Sequence, residues 1–390
     1  MKKFIEFVKK IHTENYPRLI EKIRDEQIPI ATFSSMAMKE SISHKAIFIK
    51  KLIEDGFNLQ YYFTPLDPEN DKFPQYPNLK IVNVSQIHKL NQLPKYIFIK
   101  SDIFAAAFVD VFKSLGIELI QHDKCADSHY SEFYLEHLPE IFDVYQMLDE
   151  ESRKVFLAFM FGNVSSRISD YIYDDLPQYF LHGFMPKIGD ILIDGGAYDG
   201  SSGSMFKKFG CEVFAFELDE ENFKIAKARG DREEFVVENF GLGEHSKRIE
   251  YLSFDTASHV VTSNADTPNK MIGQLISIDE YVREKNLPRV DFIKMDIEGS
   301  ELSALKGAAL SIARWKPRLA ISAYHRPEDI YTLAKFLKSI RPDYEFAFRH
   351  YPTSYDNEPD LFGVNGKLFL ETFDLPLKVP FIWESILYAR

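Results

Sequence analysis

At 390 residues the chain exceeds what one ordinary core holds, so two domains and a connector are expected. A hydrophobic share of 45% beside 27% charged residues is that of a globular protein in water, and a formal net charge of −12 argues against a nucleic-acid backbone as the main partner, which needs a basic face. Cys125 and Cys211 show no Cys-x-x-Cys or zinc spacing and read as reduced thiols of a cytoplasmic protein, and no uncharged apolar run approaches the ~20 residues that span a bilayer.

Residues 1–10 are charged at both ends and interrupted by Glu6, which predicts an amphipathic surface helix rather than a secretory leader. Strands are expected at 28–33, 58–63, 79–84, 96–100 and 117–120, with helices at 43–55 and 105–115 and a Pro-rich loop at 65–77. This alternation predicts a smaller, degenerate Rossmann-like α/β domain over residues 1–125. Its first turn, residues 34–38, carries no glycine, so a scaffold that docks a partner or acceptor is preferred over an NAD site. The pattern is helical from Tyr130 to about Phe184, a connector over 126–188. His122, His129 and His137 lie at irregular spacing and read as packing or surface residues rather than metal ligands.

The third segment, 189–390, carries the chemistry. Ile191, Leu192 and Ile193 read as a buried strand, Asp194 closes it, and Gly195, Gly196 and Gly200 follow within six residues. A chain that bends so sharply at a strand end is expected to have a ligand against its backbone. Residues 212–217 form the next strand. Glu217 at its tip stands 17 residues past Gly200, in range to accept bonds from the ribose hydroxyls of an adenosine cofactor. Asp219 then caps a helix that Gly230 stops. The turn does not fit G-x-G-x-x-G, and Asp194 and Asp199 would repel a pyrophosphate. They suit a cofactor bearing a sulfonium and an amino group, which favours S-adenosylmethionine over NAD. Asn239 or Phe240, past the third strand, could meet the adenine.

Residues 249–254 and the polar stretch to 269 predict a hairpin with a mobile loop. A fourth strand, 290–296, opens into Asp296, Glu298 and Glu301, three carboxylates at one tip. A fifth, 318–323, ends in Tyr324-His325-Arg326, with Pro327 as the first residue of a helix. Residues 344–351 and 381–388 predict an antiparallel pair.

Taken together these pieces resemble the FkbM family of S-adenosylmethionine-dependent methyltransferases over roughly residues 150–390. They are IDGGAYDG (193–200), FELD (216–219), NFGLGE (239–244), ISIDEY (276–281), FIKMDIEGSELSALKGA (292–308), AYHRPEDI (323–330), FRHY (348–351) and WESILYA (383–389), in family order. The resemblance implies a Rossmann-like methyltransferase fold, a mostly parallel sheet with a C-terminal antiparallel pair. It also implies methylation of a hydroxyl oxygen, often on a sugar or polyketide-type product. Carried over, Asp194, Gly195, Gly196, Ala197 and Gly200 line the cofactor turn and Glu217 holds the ribose. Asp296 and Glu298 sit at the reaction end. The chain departs from many relatives at Tyr198-Asp199.

An alcohol attacking a methyl sulfonium gains from a general base. His325 has the side chain whose ordinary pKa suits that role near neutrality, and Asp296 competes with it. A divalent cation on Asp296, Glu298 and Glu301 is the less favoured arrangement, because Glu301 also suits the first turn of a helix. The acceptor is expected to be a small molecule or glycan intermediate of polysaccharide biosynthesis, with a homodimer left open. Two other classes compete. One is a non-catalytic nucleotide- or sugar-binding scaffold; the other, disfavoured by the acids of the turn, is an NAD-linked oxidoreductase.

Overall fold

The computed structural model describes residues 1–33, 42–65, 68, 72–99, 106–122, 130–254, 257–260, 270–354, 370, 378–380 and 384–390. The chain divides into two compact units. Unit 1 comprises Met1–Leu138, Lys154–Asp175 and His350–Glu384; unit 2 comprises Pro139–Arg153, Leu176–Arg349 and Ser385–Arg390. No helix among the described residues is long and apolar enough to cross a membrane.

Unit 1 holds β1 (Ile30–Phe33), β2 (Leu59–Thr64), β3 (Lys80–Asn83), β4 (Tyr96–Ile99) and β5 (Glu118–Gln121), all parallel in the order β3-β2-β1-β4-β5. Helix Tyr16–Asp25 starts where the Asn15 side chain accepts the Arg18 N–H, with Pro17 in the first turn. It buries Leu19, Ile20 and Ile23 with Ile30, Phe98 and Ile120 of the sheet. His122 stacks on Phe98 with ring centroids 5.2 Å apart and hydrogen-bonds the Tyr16 hydroxyl at 2.5 Å, so it is a packing residue. The glycine-free turn at 34–38, Cys125 and His129 lie outside the described residues.

Helices Tyr130–Glu136, Leu138–Met147 and Glu150–Ser165 follow. The helical pattern does not continue to Phe184. Beyond Ser165 only a short 3-10 turn at Ile168–Asp170 forms. Pro177 and Pro186 supply no backbone donor, while Tyr179 (φ +71°), Gly183 (φ +83°) and Gly189 (φ +84°) turn the chain left-handed. Tyr179, Leu181 and Phe184 are buried without a helical repeat.

Unit 2 contains β6 (Ile191–Gly195), β7 (Glu212–Phe216) and β8 (Val236–Glu238), then β9 (Gly241–Leu242), β10 (Lys247–Phe254), β11 (Ala257–Val260) and β12 (Lys270–Ile276). Next come β13 (Phe292–Met295), β14 (Arg318–Ser322) and β15 (Phe346–His350). The short pair β16 (Thr353–Ser354) and β17 (Lys378–Val379) belongs to unit 1, and β18 (Ser385–Ala389) returns the chain to unit 2. Seven strands form one sheet in the order β15-β18-β14-β13-β6-β7-β8. β6, β7, β8, β13 and β14 are parallel, and β18 runs antiparallel to β14. Glu345 and Arg390 exchange both backbone hydrogen bonds, the signature of an antiparallel pair. The mostly parallel sheet closed by an antiparallel pair is therefore the fold anticipated from the sequence. β13 and β6 are buried at every position because helices cover both sheet faces, which explains their near-continuous apolar runs.

Two local expectations need correction. The helix capped by Asp219 is Glu220–Glu233 and runs through Gly230. Gly230 is there because a Cβ would lie 2.7 Å from Val237 Cγ2 and 2.8 Å from the Phe235 carbonyl. The helix after His325 starts at Asp329, two residues past Pro327, where the Asp329 carboxylate accepts the Arg326 N–H at 2.9 Å. The hairpin expected from residue 249 onward forms, β10 pairing antiparallel with β11, and β10 also pairs antiparallel with β12, which continues parallel to β9. Of the stretch 256–269, β11 is described and the rest lies outside the described residues, as do 381–383.

Candidate functional site

The C-terminal ends of β6, β7, β13 and β14 bring most of the expected residues together. At the tip of β6 most of the turn's amides are bonded within the protein. Gly196 and Ala197 N–H both donate to the Phe216 carbonyl at 3.0 Å, Tyr198 N–H donates to Glu217 Oε2 at 2.8 Å, and Gly200 N–H donates to the Ala197 carbonyl at 2.7 Å. Ser201 N–H is taken by Asp199 Oδ1 at 2.9 Å. A phosphate cradle needs such amides aimed at the ligand, so this turn is poorly made for a pyrophosphate.

The glycines themselves serve the protein. Gly196 has φ +76°, and a Cβ there would sit 1.8 Å from the Asp296 carbonyl oxygen. Gly200, at φ +82°, lies against Ala226, with 3.1 Å from a built Cβ to the Ala226 Cα. The sharp bend first read as making room for a ligand makes room for a neighbouring strand end and helix. Gly196→Ala is expected to destabilise unit 2 by about 2–5 kcal/mol, through steric overlap plus a strained backbone, in a urea unfolding series.

The two acids of the turn are neutralised internally, which corrects the expectation that they face the ligand. Asp194 is fully buried, with Oδ1 3.1 Å from Lys294 Nζ and Oδ2 accepting the Ser202 hydroxyl at 2.6 Å. Asp199 pairs with Arg229 at 2.6 Å. The preference for a cationic cofactor therefore rests on the carboxylates of the neighbouring tips.

Glu217, at the tip of β7, is such a carboxylate. Its Oε1 accepts the Asp219 N–H and its Oε2 the Tyr198 N–H, both at 2.8 Å, and burial pushes its pKa up to about 7. Asn239 is exposed, and its side-chain amide donates to the Glu217 and Leu218 carbonyls at 2.9 and 3.2 Å, which steadies that tip. Phe240, half-buried, lines a cavity of about 300 Å³ whose other walls include Lys247, Arg248, Gln274 and Glu284.

The tips of β13 and β14 form the second part. His325 is almost enclosed, its side chain 8% exposed. Its Nδ1 lies 2.9 Å from Glu301 Oε1, and its Nε2 lies 3.5 Å from both Asp296 Oδ1 and Glu298 Oε2. Burial alone would lower the imidazole pKa, but Glu301 above all, then Asp296 and Glu298, raise it to about 10. A pKa raised this far favours the imidazolium at neutral pH and weighs against His325 as the general base. Asp296 is held below its ordinary value: burial opposes this, and the charges of His325 and Lys294 and the hydroxyls of Ser322 and Tyr324 outweigh it. Tyr324 donates to Asp296 Oδ1 at 3.1 Å. Glu301, fully buried in the first turn of helix Glu301–Lys306, also accepts the Ile297 N–H at 2.9 Å. Glu298 stands at φ +54°, a costly conformation for a residue with a Cβ.

Because the folded pKa of His325 lies above the ordinary value near 6.5, its ion pairs stabilise fully below that value and are lost as pH rises through about 10. The wild-type melting temperature should fall between about pH 8 and 10 more steeply than that of His325→Gln.

Lys294 was missed in the sequence. It stands in β13 between Ile293 and Met295, and the register sets it directly across from Asp194. A lysine inside a strand otherwise apolar on both faces was the available signal, since such a charge needs a buried partner.

A parallel sheet in this order, with a closed turn, a ribose-range carboxylate and an acid cluster on adjacent tips, is the architecture of a Rossmann-like methyltransferase. Residues 194–348 match the family model described as the methyltransferase FkbM domain. Over 120 residues it is 31% identical to the hexuronic acid methyltransferase AglP of Haloferax volcanii, a stretch covering 30% of this chain and 49% of that protein. The chain thus spans about half the length of this curated relative. Among solved structures it resembles a methyltransferase FkbM from Methylobacillus flagellatus KT, with a TM-score of 0.64 and 19% identity over 100% of this chain and 98% of the other, a likeness of fold.

Proposed function

We propose that this chain transfers a methyl group from S-adenosylmethionine to a hydroxyl of a sugar or glycan intermediate. The observation that carries the reading is the pairing, at adjacent strand tips, of a turn whose Gly196, Ala197, Tyr198 and Gly200 amides are already bonded, with carboxylates at Glu217 and Asp296 that keep lone pairs beyond their internal bonds. That donor set suits hydroxyls and a cation, and it suits a pyrophosphate poorly. Likeness to a hexuronic acid methyltransferase supports a sugar as acceptor.

When bound, S-adenosylmethionine supplies an electrophilic methyl group on a sulfonium. Glu217 accepts the ribose hydroxyls through the lone pairs its two backbone donors leave. Asp296 receives the proton of the acceptor hydroxyl. Such a proton becomes strongly acidic as the oxygen gains its third bond, to the methyl carbon leaving sulfur, so a weak base suffices if it is in place. The His325 imidazolium fixes Asp296 and Glu298, and Glu301 fixes His325.

A divalent cation is not needed in this scheme. Asp296, Glu301 and His325 can bring one ligand atom each within 4.8 Å of one another, but the imidazole ring already lies between the two carboxylates. Turnover is expected to survive exhaustive chelation; loss of activity restored by added magnesium or manganese would require a revised scheme. The deciding experiment incubates the protein with labelled S-adenosylmethionine and a cell extract, then identifies the labelled product by mass. A methylated sugar together with S-adenosylhomocysteine supports the reading. Cofactor binding with no product formed would return the chain to a non-catalytic sugar- or nucleotide-binding role.

A further inference from the structure

Lys294 takes no step in the proposed reaction, yet it is the most enclosed cation of the site, 2% exposed. Burying an ammonium costs several kcal/mol unless its charge and its donors are all matched. Charge balance needs only Asp194, whose Oδ1 is 3.1 Å away and which faces Lys294 across the β6–β13 register. The ammonium does more than that. It donates to the Gly196 carbonyl at 2.7 Å and to the Gly195 carbonyl at 3.1 Å, the two carbonyls of the glycine turn. The Gly195 carbonyl also accepts the Asp296 N–H at 3.0 Å, so one oxygen joins the turn to the tip that bears the acid cluster. The Tyr179 ring lies 5.8 Å from Nζ.

We propose that Lys294 is a positioning residue for the cofactor turn: its ammonium pins the Gly195 and Gly196 carbonyls inward and so fixes the backbone the cofactor lies against. The proposal rests on the S-adenosylmethionine reading. It differs from a plain ion pair in one respect. A plain pair can be replaced by two neutral groups of the same shape, whereas a carbonyl anchor cannot.

The test compares Lys294→Met with the double variant Asp194→Asn/Lys294→Met. The single variant leaves Asp194 buried and unpaired and is expected to lower the melting temperature sharply. The double variant removes both charges and is expected to regain most of the wild-type melting temperature. Its KM for S-adenosylmethionine should nevertheless stay raised about tenfold or more, with kcat at saturating cofactor within about twofold of wild type, because uniform binding rather than transition-state stabilisation has been lost. Calorimetry with S-adenosylhomocysteine should show the same loss of affinity. A refolded double variant with wild-type KM would reduce Lys294 to charge balance and overturn the proposal, as would a fall in kcat with KM unchanged. Wild-type protein that binds neither S-adenosyl compound would instead overturn the cofactor reading, and the proposal with it.

Discussion

Glu217→Gln weakens S-adenosylmethionine binding by roughly 10- to 100-fold above neutral pH, the loss expected when hydrogen bonds to a charged group worth about 1.5–3 kcal/mol are removed. Both carboxylate oxygens of Glu217 are already held by backbone N–H groups at 2.8 Å, so each presents its remaining lone pairs in a fixed direction. A glutamine amide would turn an NH2 toward Tyr198 N–H or Asp219 N–H and lose one of those bonds as well. The pH dependence follows from burial, which raises the Glu217 pKa to about 7. Below that value the protonated group offers one acceptor fewer. Wild-type affinity should therefore rise as pH passes through about 7 and level off above it, while the glutamine variant stays flat. Calorimetric titrations across this range check both statements. A flat wild-type profile, or equal affinities at alkaline pH, would remove Glu217 from the ribose role.

The order of the tips could be read from the sequence because parallel strands covered on both faces leave nearly continuous apolar runs, and those of β6, β7 and β13 each lead into an acid. Asp194, Glu217 and Asp296 announced themselves in that way. What those acids do was less legible, since function depends on partners far away in the chain. Asp194 reads as a ligand-facing carboxylate until Lys294, one hundred residues on, is placed across from it by the register. Asp199 reads the same way until Arg229 reaches it from a helix. Gly196 looks like space for a cofactor and is space for the Asp296 carbonyl. His325 shows the same limit more sharply. Its ordinary pKa suits a base, and only the convergence of Glu301, Asp296 and Glu298 from another strand tip raises that pKa and favours the cation.

The end of the helical connector failed for a different reason. In residues 171–190 Tyr171, Tyr179, Leu181 and Phe184 are buried while Ile172, Leu176 and Ile188 are exposed, spaced between prolines and left-handed turns in a pattern no periodicity detects.

Asp296→Asn should lower kcat by about 10²- to 10⁴-fold while leaving S-adenosylmethionine affinity near wild type, the range for removing a positioned general base. Asp296 is the remaining candidate once His325 is occupied as an imidazolium, and its side chain is 25% exposed at the strand tip, within reach of an acceptor. The lowered pKa keeps it ionised throughout the neutral range. That makes it a weak base, which methyl transfer tolerates because the proton need leave only as the new bond forms. Asparagine keeps the size of the side chain and still accepts from Tyr324, so the substitution isolates the basic oxygen rather than the packing. His325→Gln supplies the contrast. It loosens Asp296 without removing the proton acceptor, so its kcat should fall less than that of Asp296→Asn, and its rate should not acquire a new acid limb near the ordinary histidine pKa. Near-full turnover by Asp296→Asn together with a collapse in His325→Gln would move the proton to the imidazole and require that some bound acceptor first strip His325 of its charge.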